Sequence, residues 1–320
     1  MANARGKYMI YKPICNAAPW RRETAMRAQQ KAYIFGLATV LLWSTVASAF
    51  KLTLRYVDHI QLLFYSTLFS TLILAAILVG QKKLGLAFSG SRQDYTRSIL
   101  LGALNPAIYY LVLFKAYDLL PAQEAQPLNY TWALTLSLLS IPLLKQRMSL
   151  WEVAALVLGY AGVFVISTHG DLGGMRLSNP LGVALALGSA FIWALFWIYN
   201  TKDPRDPVVC LFLSFAFGLP WTFVFCLLFS SPHLSTIQGL LGTLYVGCFE
   251  MSVTFVLWLL ALRSSVNTAR VSMLIFISPF FSLVFIRVFV GERILPSTIA
   301  GPALLVAGLL LQRRGARKTA

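Results

Sequence analysis

The most restrictive feature of this sequence is a series of apolar runs that are each long enough to cross a lipid bilayer. An α-helix needs about 20 apolar residues to span the hydrocarbon core. Only 12% of the 320 residues are charged, whereas a typical soluble domain has roughly 25%, so a water-facing surface could not be covered. The sequence therefore predicts an all-α membrane protein with ten transmembrane helices. Their approximate bounds are 32–50, 60–80, 98–119, 122–144, 150–167, 180–199, 207–229, 238–262, 266–290 and 295–312.

The basic residues predict how the chain is oriented in the membrane. The net charge is +16, and most of the 27 lysines and arginines fall between apolar runs or near the two termini. A nucleic-acid surface would need one continuous basic face, which this pattern lacks. The excess of basic residues on one side fits the positive-inside rule instead. We therefore expect both termini in the cytoplasm, a lipid bilayer as the surroundings and no nucleic-acid partner.

The terminal segments and the cysteines carry no sign of a further site. Residues 1–31 are basic and lack a signal-peptide pattern, so they are predicted to be a cytoplasmic tail without stable structure. Residues 313–320 are predicted to be a second basic tail in the cytoplasm. Met26 would also make a natural start, and the sequence leaves open whether residues 1–25 belong to the native protein. The four cysteines have no metal-ligand spacing. Neither a metal nor a cofactor is expected.

The two halves of the chain resemble each other. LATVLLWS at Leu37–Ser44 aligns with LGSAFIWA at Leu187–Ala194, and Lys145–Gly162 aligns with Gly291–Gly308. Each half holds five predicted helices, and because five is odd, the second half must enter the membrane from the opposite side. Inverted repeats around a central cavity are a common basis of secondary transporters, which bind their substrate near the bilayer midplane. The predicted repeats are residues 32–167 and 180–312.

Polar side chains occupy the first half of the fourth apolar run. An unpaired polar group in hydrocarbon costs several kcal/mol, so Glu124, Asn129 and Tyr130 are predicted to face a watery cavity or a protein partner. Asn129 can hydrogen-bond the ammonium or carboxylate of an amino acid, and Tyr130 and Trp132 can stack on a planar group or a cation. The alternative is an interfacial aromatic belt with Glu124 exposed to water.

Glu250 lies at the centre of the eighth apolar run, 238–262. A carboxylate at this depth costs about 2.5–3.5 kcal/mol on membrane-insertion scales, so it is predicted to have a function or a partner. Two functions suit it, namely proton exchange during transport and pairing with a substrate ammonium. The alternative is a structural ion pair with Arg270 or Lys115.

Aromatic residues complete the predicted site. Trp43 and Trp193 align in the first helix of each repeat, which suggests two walls of one central cavity, with ordinary packing as the alternative. The other candidates for the lining are Tyr109, Tyr110, Trp197 and Trp258.

Three stretches resemble a known transporter family. They are VLLWSTVASAF at Val40–Phe50, EAQPLNYTWA at Glu124–Ala133 and SAFIWALFWIYNTK at Ser189–Lys202. These residues are similar to the EamA family of the drug/metabolite transporter superfamily, and within it to the branch of aromatic amino acid exporters. The resemblance covers residues 32–312. It implies ten helices in two inverted repeats and a place in the bacterial inner membrane.

One position departs from the exporter branch. Ala133 stands where that pattern has a proline. If the proline bends the fourth helix, the bend in this chain would have to come from Pro127 or Pro142.

The function favoured by the sequence is a secondary transporter that exports small metabolites, such as an aromatic or another amino acid, by alternating access. No nucleotide-binding loop is found. A membrane scaffold is the first alternative and predicts no water-accessible polar centre. An intramembrane enzyme is the second, but it predicts paired catalytic groups at depth, and no such pair is found. The substrate, the coupling ion, the direction and the oligomeric state stay open, and a monomer is compatible with the sequence.

Overall fold

A computed structural model describes residues 19–144, 150–171, 179–200, 202–265, 271 and 273–318 of the chain. All regular elements within these residues are helical. The α-helices are α1 (Pro19–Thr53), α2 (His59–Gly80), α3 (Arg92–Gly102), α4 (Tyr109–Leu119), α5 (Ala122–Asn129), α6 (Trp132–Leu144), α7 (Leu150–Ser167), α8 (Pro180–Asn200), α9 (Pro207–Phe229), α10 (Ile237–Tyr245), α11 (Val253–Ser264), α12 (Ser278–Phe285) and α13 (Ser297–Lys318).

Six helical segments among the described residues are long and apolar enough to cross a membrane. They correspond to the first, second, third, sixth, seventh and eighth predicted spans, and three shorter apolar helices accompany them. The six segments are Arg27–Thr53, His59–Gly80, Arg92–Leu119, Pro180–Asn200, Pro207–Phe229 and Ile237–Leu262, and the shorter ones are Val153–Ser167, Ser278–Val290 and Ser297–Leu311.

Several helix bounds differ from the sequence prediction. The first helix already begins at Pro19, so residues 19–31 of the predicted tail are helical, and α13 continues to Lys318. The fourth span is not one continuous helix, because α5 ends at Asn129 and α6 begins at Trp132. At this break the Leu128 carbonyl accepts both the Thr131 hydroxyl, at 2.7 Å, and the Thr131 backbone N–H, at 3.3 Å.

Two further breaks interrupt the third and eighth spans near their middle. Asn105 has extended backbone angles (φ −144°, ψ 117°) within a π-helical turn at Ala103–Ile108, next to Pro106, which has no N–H to donate. A second π-helical turn, Val246–Glu250, separates α10 from α11. Broken helices within membrane proteins free backbone groups and bend the chain where it lines a cavity.

The helices pack in pairs that join the two halves of the chain. The largest contacts are α7 with α13, α1 with α11, α2 with α9, and α4 with α8. The α7–α13 contact depends on glycine, because a Cβ on Gly162 would lie 2.6 Å from the Gly301 carbonyl oxygen. Close backbone approach at small residues is typical of helix pairs in membranes. The same pairs enclose the centre of the bundle.

Candidate functional site

The Glu250 carboxylate lies at the centre of the bundle and meets aromatic residues from two other helices. Glu250 is half-buried, and its Oε1 accepts a 3.2 Å hydrogen bond from the Tyr110 hydroxyl. The Trp43 side chain also interacts with this carboxylate. The second oxygen, Oε2, is shielded and has no hydrogen-bond partner among the described residues. One acceptor is therefore left for a ligand or a proton.

Two serines hold the turn that carries Glu250. The Ser252 hydroxyl lies 2.6 Å from the Gly247 carbonyl oxygen and 2.8 Å from the Ser70 hydroxyl of α2. Ser70 in turn donates a 3.1 Å hydrogen bond to the Met251 carbonyl. Both serines are fully buried. They occupy backbone groups that the π-helical turn frees, and so fix the place of the carboxylate.

Aromatic rings from both halves of the chain pack against Trp43 and Tyr110, the two residues that contact the carboxylate. Phe255 of α11 contacts Trp43 at a ring-centroid distance of 5.9 Å and Trp193 at 5.6 Å. Tyr109 stacks on Trp193 at 4.6 Å, and Trp258 lies 5.8 Å from Trp43. The two tryptophans that align in the repeats thus lie on either side of one phenylalanine. We call these residues, together with Tyr110 and Glu250, the central cluster.

Polar side chains border the central cluster on the side of α5. The Tyr109 hydroxyl donates to Asn129 Oδ1 at 3.4 Å, and Asn129 Nδ2 donates to the Ser189 hydroxyl at 2.9 Å. The Tyr130 hydroxyl donates to the Ser278 hydroxyl at 3.0 Å. Asn129 and Tyr130 therefore join the break between α5 and α6 to helices of the second half.

Of three further residues predicted for the site, one contacts the central cluster and two have other surroundings. Trp197 contacts Trp193 edge-on at 5.8 Å, and its indole nitrogen is buried with no partner in the described part of the chain. Trp132 is half-buried and packs against the main apolar core. Glu124 lies apart from the cluster, since its buried carboxylate is 2.6 Å from Nε2 of His169.

The structural ion pair considered for Glu250 is absent among the described residues. Lys115 pairs with Asp118 at 2.7 Å, and Arg270 lies outside the described residues. The described residues also hold no cluster of three or more histidine, cysteine or acidic side chains that could bind a metal ion.

Sequence reasoning missed Phe255, Ser189, Ser278 and His169. Phe255 is one of 22 phenylalanines, and nothing local distinguishes it. Ser189 and Ser278 meet their partners across 60 and 148 positions of the chain. For Ser278 a signal existed, because it precedes Pro279 in an apolar run, and a proline has no N–H to donate within a helix.

The two ends of the bundle hold contrasting sets of charges. At the end where α8 meets α9, Arg205 forms 2.9 Å and 2.6 Å hydrogen bonds to the two oxygens of Asp203, and Lys83 pairs with Asp206 at 2.7 Å. Burial alone would raise the pKa of Asp203, but hydrogen bonds from Arg205 lower that pKa to about 2. We call this the Arg205 end.

The opposite end, where α1 terminates, is named the Lys51 end. The Lys51 ammonium donates to the Tyr117 carbonyl at 2.6 Å, and Arg55 donates to the Val290 carbonyl at 2.9 Å. Both oxygens of Glu292 accept backbone N–H groups at the start of α5, from Ala122 at 2.8 Å and Gln123 at 3.2 Å. A carboxylate suits the positive end of a helix dipole.

Comparison with known families identifies what kind of protein contains this cluster. The sequence profile described as "EamA-like transporter family" matches residues 30–168 and again residues 180–313. This chain belongs to the EamA-like transporter family. It is therefore a multi-pass membrane transporter that acts on a small molecule, and not an enzyme.

Individual relatives agree with this family. An uncharacterized transporter of Archaeoglobus fulgidus is 24% identical over 285 residues, which cover 88% of this chain and 96% of that protein. The protein named aromatic amino acid exporter YddG of Ancylobacter novellus is 27% identical over 183 residues, 56% of this chain and 61% of that protein. A protein of known crystal structure, 20% identical, superimposes with a TM-score of 0.63 over 91% of this chain and 99% of that one, which shows the fold alone.

Proposed function

We propose that this EamA transporter exports an aromatic amino acid, and that this substrate binds at the central cluster. One observation carries the proposal: in the middle of a helical segment long enough to cross a membrane, the Glu250 carboxylate has one oxygen without a hydrogen-bond partner among the described residues and contacts Tyr110 and Trp43 of the aromatic cluster. The name of the Ancylobacter relative supports the same substrate class.

Each part of such a substrate has a counterpart in the cluster. A substrate ammonium pairs with Glu250 Oε2, since a buried charge in a membrane protein needs an opposite partner. The aromatic ring lies against Trp43, Trp193 and Phe255, where edge and face contacts each contribute about 0.5–1.5 kcal/mol. Asn129 donates one side-chain N–H to Ser189, and its second side-chain N–H can donate to the substrate carboxylate.

The proposed transport cycle is alternating access between two inverted five-helix repeats, residues 32–167 and 180–312. The paired packing supports this division, because α1 on α11 has its counterpart in α4 on α8. The double match of the family profile supports it as well. We propose ten membrane crossings, a bacterial inner membrane and cytoplasmic termini, which put the Arg205 end inside and the Lys51 end outside.

Efflux measurements test the proposal. Cells loaded with L-phenylalanine should release it faster with the wild-type protein than without it. Glu250→Gln should reduce this protein-dependent part of the efflux rate at least about tenfold, which is equivalent to about 1.4 kcal/mol. Asp58→Asn is a matched control, because an asparagine caps α2 about as well as Asp58 does. Unchanged efflux in Glu250→Gln would contradict the role of the central cluster.

The aromatic wall has its own matched pair of variants. Trp43→Phe should reduce efflux of L-phenylalanine more than efflux of L-alanine. Trp221→Phe makes the same substitution at an exposed residue on the outside of the bundle and should leave both rates unchanged. If Trp43→Phe and Trp221→Phe had equal effects on efflux of L-phenylalanine and L-alanine, Trp43 would serve packing alone.

A further inference from the structure

A cavity of about 370 Å³ opens at the Lys51 end, apart from the central cluster. This volume falls in the range of small-molecule sites. Its lining combines two basic side chains, two acidic side chains and two apolar ones. The residues are Lys51, Leu54, Arg55, Asp118, Val290, Gly291 and Glu292. We call it the Lys51 cavity.

The basic side chains of this cavity keep donors for a ligand. Lys51 and Arg55 each donate to one backbone carbonyl, and within the described residues neither is within ion-pair distance of a carboxylate. An ammonium has three N–H donors and a guanidinium has five, so both retain several. The free groups of the cavity therefore recognise an acceptor, above all a carboxylate.

The acidic side chains of the cavity are largely occupied. Glu292 accepts the first backbone N–H groups of α5 with both oxygens, and Asp118 accepts Lys115. Their negative charges still disfavour a multiply charged anion such as a phosphate headgroup, because like charges repel at this range. A zwitterion meets both signs of charge and fits better.

The cavity lies on the same two helices as the central cluster. Lys51 follows Trp43 on α1, and Asp118 follows Tyr110 on α4, in each case by about 12 Å along the helix axis at 1.5 Å per residue. Between the two levels lie buried aromatic rings, which separate the cavity from the cluster. Phe50 contacts Phe114 at 4.8 Å and Tyr117 at 5.0 Å.

We infer that the Lys51 cavity is a second binding site, which holds a zwitterionic amino acid by its carboxylate through Lys51 and Arg55. The inference rests on the proposed function for the substrate class. The buried aromatic rings separate the site from the central cluster. A solute can therefore reach the site from the Lys51 end without passing through the cluster. A solute leaving the cluster past Phe50 would enter this cavity next.

Protection of a cysteine in the cavity wall tests the inference. The full-length Leu54→Cys variant, in nanodiscs of zwitterionic lipid, is labelled with a membrane-impermeant maleimide. L-phenylalanine at ten times its dissociation constant should slow labelling about tenfold, because about a tenth of the sites stay free. The wild-type chain gives the background of the native cysteines, and Tyr56→Cys on the exposed surface should label at an unchanged rate.

The chemical specificity is tested with probes that lack one charge. Hydrocinnamate, which keeps the carboxylate, should also protect Leu54→Cys, although at higher concentration than L-phenylalanine. Phenethylamine and L-phenylalanine methyl ester lack the free carboxylate and should not protect. Protection by phenethylamine, or by inorganic phosphate but not by hydrocinnamate, would overturn the assignment.

Second-site variants separate this inference from the central cluster. In the Leu54→Cys background, Lys51→Met and Arg55→Gln should each abolish protection by L-phenylalanine, and Lys51→Arg should retain it. Glu250→Gln should also retain it, whatever its effect on efflux. Protection that survives both Lys51→Met and Arg55→Gln, or that disappears in Glu250→Gln, would overturn the second site.

Discussion

The two ends of this transporter satisfy their charges in different ways. At the Arg205 end, basic and acidic side chains bind one another, with Asp203 buried beneath Arg205 and Arg97. At the Lys51 end, Lys51 and Arg55 bind backbone carbonyls and face an open cavity. The first arrangement holds helices together, whereas the second leaves charge available for a solute. The difference shows that ionic groups at helix ends can have opposite roles in one bundle.

The largest expected effect is on stability at the Arg205 end. Asp203→Ala leaves Arg205 without the carboxylate that binds it twice. Loss of one partner of a buried ion pair costs about 3–5 kcal/mol, which chemical unfolding in detergent can measure. The matched control is Asp118→Ala at the Lys51 end, in an exposed pair with Lys115, where a loss of less than about 1 kcal/mol is expected. Equal losses would remove the contrast between the two ends.

Acid should weaken the Arg205 end selectively. The Asp203 carboxyl has its pKa lowered to about 2 by Arg205, against about 3.9 for an aspartate in an unfolded chain. Because the pKa of Asp203 is lower in the folded than in the unfolded chain, its ionised form stabilises the fold at pH values above the unfolded-state pKa. This stabilisation is lost as the pH falls from about 4 through about 2. Unfolding measured across this window should show a smaller acid-dependent loss in Asp203→Ala than in the wild type. Identical pH profiles would argue against the pairing.

Glu124 is a buried carboxylate near the Lys51 end, and loss of its partner should have a smaller effect than Asp203→Ala. Glu124 is 1% exposed and contacts His169. His169→Ala removes a partner of this buried group and should cost about 1–3 kcal/mol. His233→Ala, which removes an exposed histidine ring, should have almost no effect. A neutral His169→Ala would mean that other contacts of Glu124 suffice.

Lys51→Met should have a smaller effect on stability than Asp203→Ala. It removes one hydrogen bond, from the Lys51 ammonium to the Tyr117 carbonyl, and a hydrogen bond with one charged partner contributes about 1.5–3 kcal/mol. The unfolding free energy should therefore change less than in Asp203→Ala. A loss as large as that of Asp203→Ala would assign Lys51 to structure rather than to a ligand.

The fold class could be predicted from the sequence because lipid demands long apolar helices. The interruptions were harder to predict. At the break after Asn129, the Thr131 hydroxyl bonds the Leu128 carbonyl, but threonine does the same in many unbroken helices. The π-helical turn that ends at Glu250 is held by Ser70, which lies far away in the chain. Neither contact can be recognised from the local sequence.

The candidate site was predictable where depth alone singles out a residue. Glu250 was conspicuous as an acid at mid-membrane, and the structure brings it to Tyr110. Glu124 had the same chemistry, but its contact with His169 spans 45 positions and could not be predicted from the sequence. Phe255, between Trp43 and Trp193, looks like any other apolar residue until α11 packs against α1.

The most direct test of the account is an experimental structure of the protein in nanodiscs with L-phenylalanine bound. The account predicts ligand density in contact with the rings of Trp43, Trp193 and Phe255, with the ammonium beside Glu250 Oε2. Density absent from this position at saturating ligand, or Trp43 and Glu250 found facing lipid, would contradict it.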